Sequence, residues 1–188
     1  LLVSLPGNVY FCTKYNSMKQ LHIITPVKDS IESTLRTIDA VLDSEINVPF
    51  TYTIYNDFST PENTALLENK AQHLGFQLVN LSDLTQHPSP NYLLVLQRER
   101  ELCLQEDAAL LIVESDVTVK PDTLQGLWDG AMERKDCGMA ASVTVDEVGK
   151  VNYPYLFARR MGKQVTSTRH HCSFCCTLLT NELLRRVD

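Results

Sequence analysis

Short apolar runs rich in β-branched residues alternate along this chain with longer segments whose apolar residues recur at helical spacing. The most apolar run is residues 109–113 (ALLIV), which separates two helical segments at 91–105 and 121–135. Strands that are buried on both faces are almost continuously apolar, and such strands are typical of parallel sheets. The alternation therefore predicts an α/β fold, with a mostly parallel central sheet flanked by helices.

Length and charge narrow the class of protein further. The chain has 188 residues, 44% of them apolar, so one domain with a sizeable core is expected and wholesale disorder is excluded. Its 17 basic and 23 acidic residues give a net charge of −6, which disfavours non-specific nucleic-acid binding. No apolar run approaches the roughly 20 residues that span a bilayer, and no secretory leader is visible. Six cysteines at low density then indicate reduced thiols and a cytoplasmic protein.

The remaining elements are predicted from periodicity and turn residues. Thr60 and Pro61 fit the N-cap and first position of a helix that Gly75 ends. We expect residues 1–20 to be a lead-in segment and residues 21–188 to be a single domain, a piece of a longer protein that is truncated at its C-terminal end. The predicted strands are 21–25, 51–55, 76–81, 109–113, 139–145, 151–155 and 174–179, and the predicted helices are 31–42, 61–74, 91–105, 121–135 and one that starts at Asn181.

Polar residues follow three of the predicted strands directly. They are residues 25–29 after the first strand, 56–60 after the second and 114–116 after the fourth. Ligands of parallel α/β sheets bind outside the carboxyl ends of the strands, where these residues would meet. Taken singly, each group is explained as well or better by a polar loop or, for Asp57 and Ser59, by a turn or a helix cap. Their convergence on one edge is what favours a binding site.

Glu114 and Asp116 have the spacing of a cation site. Residues i and i+2 of an extended backbone project to the same side, so both carboxylates could face one cation, directly or through water. Oxygen ligands of this kind suit Mg²⁺ or Mn²⁺, which often share phosphate oxygens. The chain has neither a Walker-type Gly-Lys-Ser/Thr loop nor a Gly-x-Gly-x-x-Gly loop, so the common glycine-rich phosphate loops are missing.

These segments together resemble a family 2 glycosyltransferase with the GT-A fold, a Rossmann-like sandwich. Residues 23–29 (IITPVKD) are similar to its opening strand and nucleotide-binding turn, and residues 53–60 (TIYNDFST) to its second-strand motif. Residues 111–116 (LIVESD) resemble its metal-binding Asp-x-Asp strand, and residues 173–186 its acceptor-side strand and helix start. The four motifs occur in the family's order over about residues 21–188.

The resemblance implies an enzyme that moves a sugar from a nucleoside-diphosphate donor, UDP above all, to a glycan or other hydroxyl acceptor with inversion. It implies that Asp116, with Glu114 beside it, holds Mg²⁺ or Mn²⁺, and that Asp57 hydrogen-bonds the base. No nucleic-acid partner is expected, and membrane association is left open for parts outside this chain. No catalytic residue is nominated, because the family's base is expected beyond residue 188, so this chain alone could be inactive. The donor-binding residues that the resemblance implies are Thr25, Pro26, Val27, Asp29, Asn56, Asp57, Arg98 and Ser115.

Three positions depart from the family's motifs. Asn56 stands where the first Asp is usual, and Glu114 replaces the first Asp of Asp-x-Asp. Phe58 replaces the usual Gly, so we expect the turn there to need no positive φ. Two other functions therefore stay open. One is a non-catalytic module that binds a nucleotide or glycan, and the other is a sugar-nucleotidyltransferase, which the absence of Gly from residues 25–30 disfavours.

A sulfur-rich cluster near the C-terminal end allows three interpretations. It contains His170, His171, Cys172, Cys175 and Cys176. These residues are zinc ligands by type, but they crowd into seven positions, whereas a structural zinc site usually joins two separated pairs of ligands. A redox Cys-x-x-Cys pair would open a helix, and here the sequence continues as a strand. We therefore favour small, soft residues packed in a buried strand.

Overall fold

The computed structural model describes residues 18–134, 136–152 and 172–187. Strands and helices alternate along these ranges, which confirms the predicted α/β class. The strands are β1 (Gln20–Val27), β2 (Phe50–Asn56), β3 (Gln77–Asn80), β4 (Ala108–Val113), β5 (Met139–Ala141) and β6 (Cys176–Leu179). The helices are α1 (Ile31–Leu42), α2 (Pro61–Leu74), α3 (Tyr92–Gln105), α4 (Thr123–Met132) and α5 (Asn181–Leu184).

The strands form one sheet in the order β3-β2-β1-β4-β6-β5. The first four strands of this order are parallel, and β6 runs antiparallel to both β4 and β5. The chain builds outward from β1 to β2 and β3, then crosses back through α3 to place β4 on the other side of β1. The order of the strands therefore reverses between β1 and β4, which is where open α/β sheets form a ligand crevice.

Helices cover both faces of the sheet because alternate strand residues point to opposite sides. One face packs Ile23 of β1 and Leu111 of β4 against α1, α2 and α4. The other packs Ile24 and Leu110 against α3 and α5. Full burial of each such aliphatic side chain contributes about 1.5–3 kcal/mol to the free energy of unfolding. Within the described ranges, no helix is both long and apolar enough to cross a membrane.

The end signals of α2 are confirmed. The Thr60 hydroxyl accepts a hydrogen bond from the Asn63 amide (3.3 Å), and Pro61 is the first helical residue. Gly75 ends the helix with a φ of 77°, a left-handed conformation that costs glycine little.

Several predicted boundaries are wrong, including that of the strand predicted from residue 174, which begins at Cys176. The third strand ends at Asn80, because Leu81–Asp83 forms a 3₁₀ turn. The helix predicted from residue 121 begins at Thr123, after a turn in which the Thr123 amide bonds the Lys120 carbonyl. The strand predicted over 139–145 ends at Ala141, and an isolated bridge joins Val145 to Val151. Most of the predicted strand at 151–155 lies outside the described residues.

Candidate functional site

The polar ends of β1, β2 and β4 lie at one edge of the sheet, here called the rim. β2 and β4 flank β1 on its two sides, and neighbouring strands are about 4.8 Å apart. The Asp57 amide donates to the Val27 carbonyl (2.8 Å), so β1 and β2 stay paired up to the rim. The predicted convergence of three strand ends thus occurs.

Asp57 is held by the segment that leads into α3. Its Oδ2 accepts hydrogen bonds from the Ser89 hydroxyl (2.7 Å) and the Asn91 amide (2.8 Å), and its Oδ1 accepts one from the Asn91 side chain (2.7 Å). The side chain is buried, and burial alone would raise its pKa, but these donors outweigh burial and lower the pKa below its usual value. The alternative in which Asp57 caps α2 is wrong, because Thr60 caps that helix.

Glu114, the first residue after β4, is held by the first residue of α3. The Tyr92 hydroxyl donates to its Oε1 at 2.9 Å. The Glu114 side chain is half-buried, and burial raises its pKa, which the Tyr92 hydrogen bond opposes and the nearby Asp116 charge reinforces. Glu114 and Asp116 are therefore close enough to interact electrostatically.

Ser89, Asn91 and Tyr92 were not singled out in the sequence. Asn91 stands where an N-cap of α3 is expected, but it makes no side-chain cap. Its amide group binds the Asp57 carboxylate and the His87 carbonyl (3.1 Å) instead. An Asn directly before a helix is usually interpreted as its N-cap. Only the fold shows that the partner of Asn91 is Asp57, at the end of β2.

Asp116 is exposed and, within the described residues, makes no hydrogen bond or ion pair through its side chain. The extended backbone assumed for 114–116 is wrong, because the Val117 amide bonds the Glu114 carbonyl (3.0 Å) and closes a turn after β4. The half-buried Ser115 lies inside this turn. The turn leaves the Asp116 carboxylate open to solvent beside Glu114.

The end of β1 is tied to the start of α2. The Asp29 amide donates to the Ser59 hydroxyl (2.9 Å), and the Asp29 carboxylate accepts from the Thr60 amide (2.7 Å) and the Asn63 side chain (3.2 Å). Those donors, the Thr60 amide above all, lower the pKa of Asp29. Asp29 has a φ of 61°, which fixes the direction of the turn.

The other residues at the end of β1 that were predicted to bind the donor differ in how exposed their side chains are at the rim. The Thr25 side chain is completely buried, and its hydroxyl pairs with the Tyr52 hydroxyl at 3.0 Å. Pro26 is half-buried, and Val27 is buried. Only main-chain groups of Thr25 and Val27, together with the Pro26 ring, are therefore suited to touching a ligand here.

Asn56 points to the opposite face of the sheet from Asp57. Its side-chain amide donates to the Thr64 hydroxyl (2.9 Å) and to the Asn80 side chain (2.8 Å), which joins β2, α2 and β3. Its carbonyl oxygen accepts from the Ser59 amide (3.2 Å). The side-chain amide nitrogen and oxygen of Asn56 thus both have protein partners.

The expectation for Phe58 is wrong, because this residue has a φ of 58°. The turn brings the Ser59 amide back to the Asn56 side chain (3.2 Å), with Phe58 in a left-handed conformation between them. The Phe58 ring is half-buried against the core beneath α3. That packing compensates a conformation that a bulky residue rarely adopts.

Arg98 is exposed on α3, and its guanidinium lies beside the Tyr55 hydroxyl. That hydroxyl also donates to Glu99. Burial and the Glu99 charge raise the pKa of Tyr55, and Arg98 partly offsets them. Arg98 thus lies near the end of β2, which β1 separates from β4.

The sulfur-rich cluster is described only in part, because His170 and His171 lie outside the described residues. Cys176 is the first residue of β6 and is buried, while Cys172 and Cys175 are half-buried before it. The Cys175 carbonyl accepts from the Glu114 amide (2.9 Å). The buried-strand interpretation is thus confirmed for Cys176.

The fold is shared with solved glycosyltransferase structures. Glucosyl-3-phosphoglycerate synthase from Mycobacterium tuberculosis, solved with Mn²⁺, UDP and glucosyl-3-phosphoglycerate, aligns with 87% of this chain and 57% of its own at 17% identity and a TM-score of 0.55. The mannosyltransferase PcManGT from Pyrobaculum calidifontis, solved with GDP-Man and Mn²⁺, aligns with 66% of this chain and 35% of its own at 13% identity and a TM-score of 0.50. S. aureus TarS 1-349 aligns with 61% of this chain and 32% of its own at 17% identity and a TM-score of 0.43.

The two likenesses with a TM-score of 0.50 or more show a GT-A-like fold, which confirms the predicted architecture. The chain spans between 32% and 57% of the length of these three proteins. No protein-family model matches the chain, and no curated protein does. Membership of family 2 therefore remains a prediction.

Proposed function

We propose that this chain is the donor-binding part of a metal-dependent glycosyltransferase that uses a nucleoside-diphosphate sugar. Two hydrogen bonds made by consecutive residues carry the proposal. Asn91 binds Asp57 at the end of β2, and Tyr92 binds Glu114 at the end of β4. Two acidic strand ends are thereby held against one short segment, on either side of β1. Such an edge suits a ligand with a base at one end and a charged diphosphate at the other.

The nucleoside is proposed to lie over the ends of β1 and β2. A carboxylate has about four lone-pair positions, of which Asp57 uses three for Ser89 and Asn91. The remaining position on Oδ1 can accept an N–H from a base. Pro26 and the main chain of Thr25 and Val27 would pack against the nucleoside.

More distant residues are assigned lesser roles in the proposal. Asp29 and Asn56 shape the turns at the rim, because their side chains bond other parts of the protein. Arg98 supports the end of β2 through its place beside Tyr55.

The residues after β4 fit a divalent cation. Asp116 offers an exposed carboxylate, and Glu114 keeps one oxygen, Oε2, that Tyr92 does not bind. Ser115 between them adds hydroxyl and carbonyl oxygens. An all-oxygen set of this kind suits Mg²⁺ or Mn²⁺. When bound, such an ion offsets the negative charge that develops on the departing diphosphate.

The proposed reaction is transfer with inversion at the anomeric carbon of a UDP-sugar. The acceptor hydroxyl oxygen forms a bond to this carbon while the bond to the diphosphate oxygen breaks. The diphosphate leaves with the electron pair, and a general base takes the proton of the hydroxyl. Residues of this chain bind and orient the donor, so that the anomeric carbon faces the acceptor.

Calorimetric titration of UDP, with and without Mn²⁺, tests the site. We expect UDP to bind the chain much more tightly with Mn²⁺, and Asp116→Asn to abolish that dependence. Glu114→Gln should have the smaller effect, because Tyr92 already occupies one of its oxygens. Asp39→Asn, an exposed acid in the last turn of α1, is the matched control. Unchanged Mn²⁺ dependence in Asp116→Asn would remove this residue from the metal site.

Incubation with nucleotide sugars separates the remaining functions. The protein that contains this chain should release UDP from a UDP-sugar, and faster when its acceptor is present. A non-catalytic module would bind UDP without releasing it from the sugar. A sugar-nucleotidyltransferase would instead make pyrophosphate from a nucleoside triphosphate and a sugar phosphate.

A further inference from the structure

A buried polar cluster lies between β1 and α3, in the core and away from the rim. His22, Glu99 and Cys103 are 5%, 2% and 0% exposed. One ligand atom from each of them lies within 4.8 Å of the others. His22 precedes Val27 by five residues of extended strand, which separates it from the rim by about 16 Å. The cluster therefore takes no part in the proposed donor site.

Two of the three ligand atoms already have the spacing found in a tetrahedral metal site, and the third lies nearby. Nδ1 of His22 and Oε2 of Glu99 are 3.1 Å apart. Zinc bonds to nitrogen and oxygen of about 2.0–2.2 Å place two such ligands about 3.4 Å apart in a tetrahedron. Glu99 and Cys103 are one helical turn apart on α3, so they share a face. Shifts of about an ångström would bring all three atoms around one ion.

The hydrogen-bond partners of His22 and Glu99 are also of the kind found around metal ligands. Ligating imidazoles usually give their second nitrogen to a carboxylate, and ligating carboxylates are themselves hydrogen-bonded. Nε2 of His22 lies 3.2 Å from Oε2 of Glu106, and the Tyr55 hydroxyl donates to the second oxygen of Glu99. Both outer partners are therefore in place.

We propose that His22, Glu99 and Cys103 bind a Zn²⁺ ion that fastens α3 to β1, with a buried water molecule as the fourth ligand. The Glu99 carboxylate and a Cys103 thiolate together balance the charge of the ion, which is needed in a site that is shielded from bulk water. Nitrogen and sulfur ligands select zinc over Mg²⁺ or Mn²⁺. The site goes beyond the proposed function, and its ion is distinct from the one proposed at Asp116.

A proton on Nδ1 of His22 is the competing occupant, because it too would bridge the imidazole and Glu99. The two differ at Cys103, which a metal requires and a proton does not. A test on Cys103 therefore separates them.

Zinc content after refolding tests the proposal, since a buried site is filled as the chain folds. The chain is refolded with Zn²⁺, dialysed against buffer and analysed by elemental analysis. Cys172→Ser and Cys175→Ser are present throughout, which removes two of the three sulfur ligands that the sulfur-rich cluster could offer to zinc. We expect stoichiometric zinc that Cys103→Ala loses and that Cys137→Ala keeps. Cys137 is a half-buried cysteine outside the cluster and serves as the matched control.

Refolding with Co²⁺ gives a second readout that needs no variant at Cys103. A sulfur-to-cobalt charge-transfer band in the near ultraviolet would show thiolate ligation, and it should disappear in His22→Gln. Absence of zinc, absence of this band, or equal zinc in Cys103→Ala with an unchanged circular dichroism spectrum would each overturn the proposal. UDP titration of the same samples reports on the donor site separately.

Discussion

The Tyr92 hydroxyl donates a 2.9 Å hydrogen bond to the Glu114 carboxylate, which joins the first residue of α3 to the first residue after β4. The preceding residue, Asn91, binds Asp57 beyond the end of β2. The start of α3 thus sets the positions of two strand ends that are not neighbours in the sheet. We expect changes at this junction to alter ligand binding as well as stability.

Removing the Tyr92 hydroxyl should weaken both properties. Tyr92→Phe leaves a half-buried carboxylate with one fewer donor, and a hydrogen bond to a charged group contributes about 1.5–3 kcal/mol. We expect the free energy of unfolding in urea to fall by about this amount, and the Mn²⁺-dependent affinity for UDP to fall several-fold because Glu114 is no longer held.

Tyr52→Phe is the matched control for this change. The Tyr52 hydroxyl is buried and pairs with Thr25, away from Glu114. This variant should lose stability but keep the dependence of UDP binding on Mn²⁺. Equal losses of Mn²⁺ dependence in the two variants would contradict a specific role for Tyr92.

Introducing at position 56 the Asp that is usual in the motif this segment resembles should destabilise this protein. Asn56→Asp places a carboxylate oxygen 2.8 Å from the Asn80 side-chain oxygen, where an amide now donates. Rotation of the Asn80 amide relieves part of the repulsion but gives up its bond to Glu68. We expect a loss of about 1–3 kcal/mol in the free energy of unfolding.

Asn47→Asp is the control for Asn56→Asp, because Asn47 is exposed and its side chain makes no hydrogen bond within the described residues. Thermal or urea denaturation measures both variants. If Asn56→Asp were as stable as the wild type, the bond to Asn80 would contribute nothing.

Asp57 is expected to select the base of the nucleotide. A carboxylate accepts the ring N–H of uracil or guanine, which cytosine and adenine lack at the equivalent position. A wrong base would leave that acceptor unpaired, at a cost of about 1–3 kcal/mol. UDP and GDP should therefore bind with much higher affinity than CDP and ADP. In Asp57→Ala the four affinities should become similar. Calorimetric titration of the four diphosphates into wild type and Asp57→Ala tests whether Asp57 contacts the base. An unaltered ranking of affinities in the variant would exclude this contact.

The parallel sheet and the edge that carries the candidate site were predictable from local patterns. The apolar run of β4 was predicted to within one residue, because a strand buried on both faces leaves a continuous signal. The acids that follow it are adjacent in sequence to that signal. Position along the strand was therefore enough to place Asp57, Glu114 and Asp116 at one rim.

The contacts within the site were not predictable in the same way. Asp57 and Asn91 are 34 residues apart, and Tyr92 and Glu114 are 22 apart, so no periodicity links them. Phe58 shows a second limit, since it adopts a positive φ that its own side chain disfavours, in a turn where the Ser59 amide bonds the Asn56 side chain. His22 did leave a signal in the sequence, because it is an ionisable residue inside the apolar run 21–25. Its partners on α3 could not be predicted, because they depend on how α3 crosses the sheet between β3 and β4.

Asp57 should also stabilise the fold in a pH-dependent manner. Although burial opposes ionisation, the donors from Asn91 and Ser89 lower the pKa of Asp57 in the folded state below its ordinary value. The ionised Asp57 therefore contributes fully to the free energy of unfolding above its unfolded-state pKa. This contribution is lost as pH falls through its folded-state pKa. Asp57→Asn should cost about 1–3 kcal/mol near neutral pH and progressively less below about pH 4. Urea denaturation across this range measures the difference, with the exposed Asp83→Asn as control. A cost that stays constant down to the lowest pH at which the protein folds would show that the Asp57 charge does not contribute to stability.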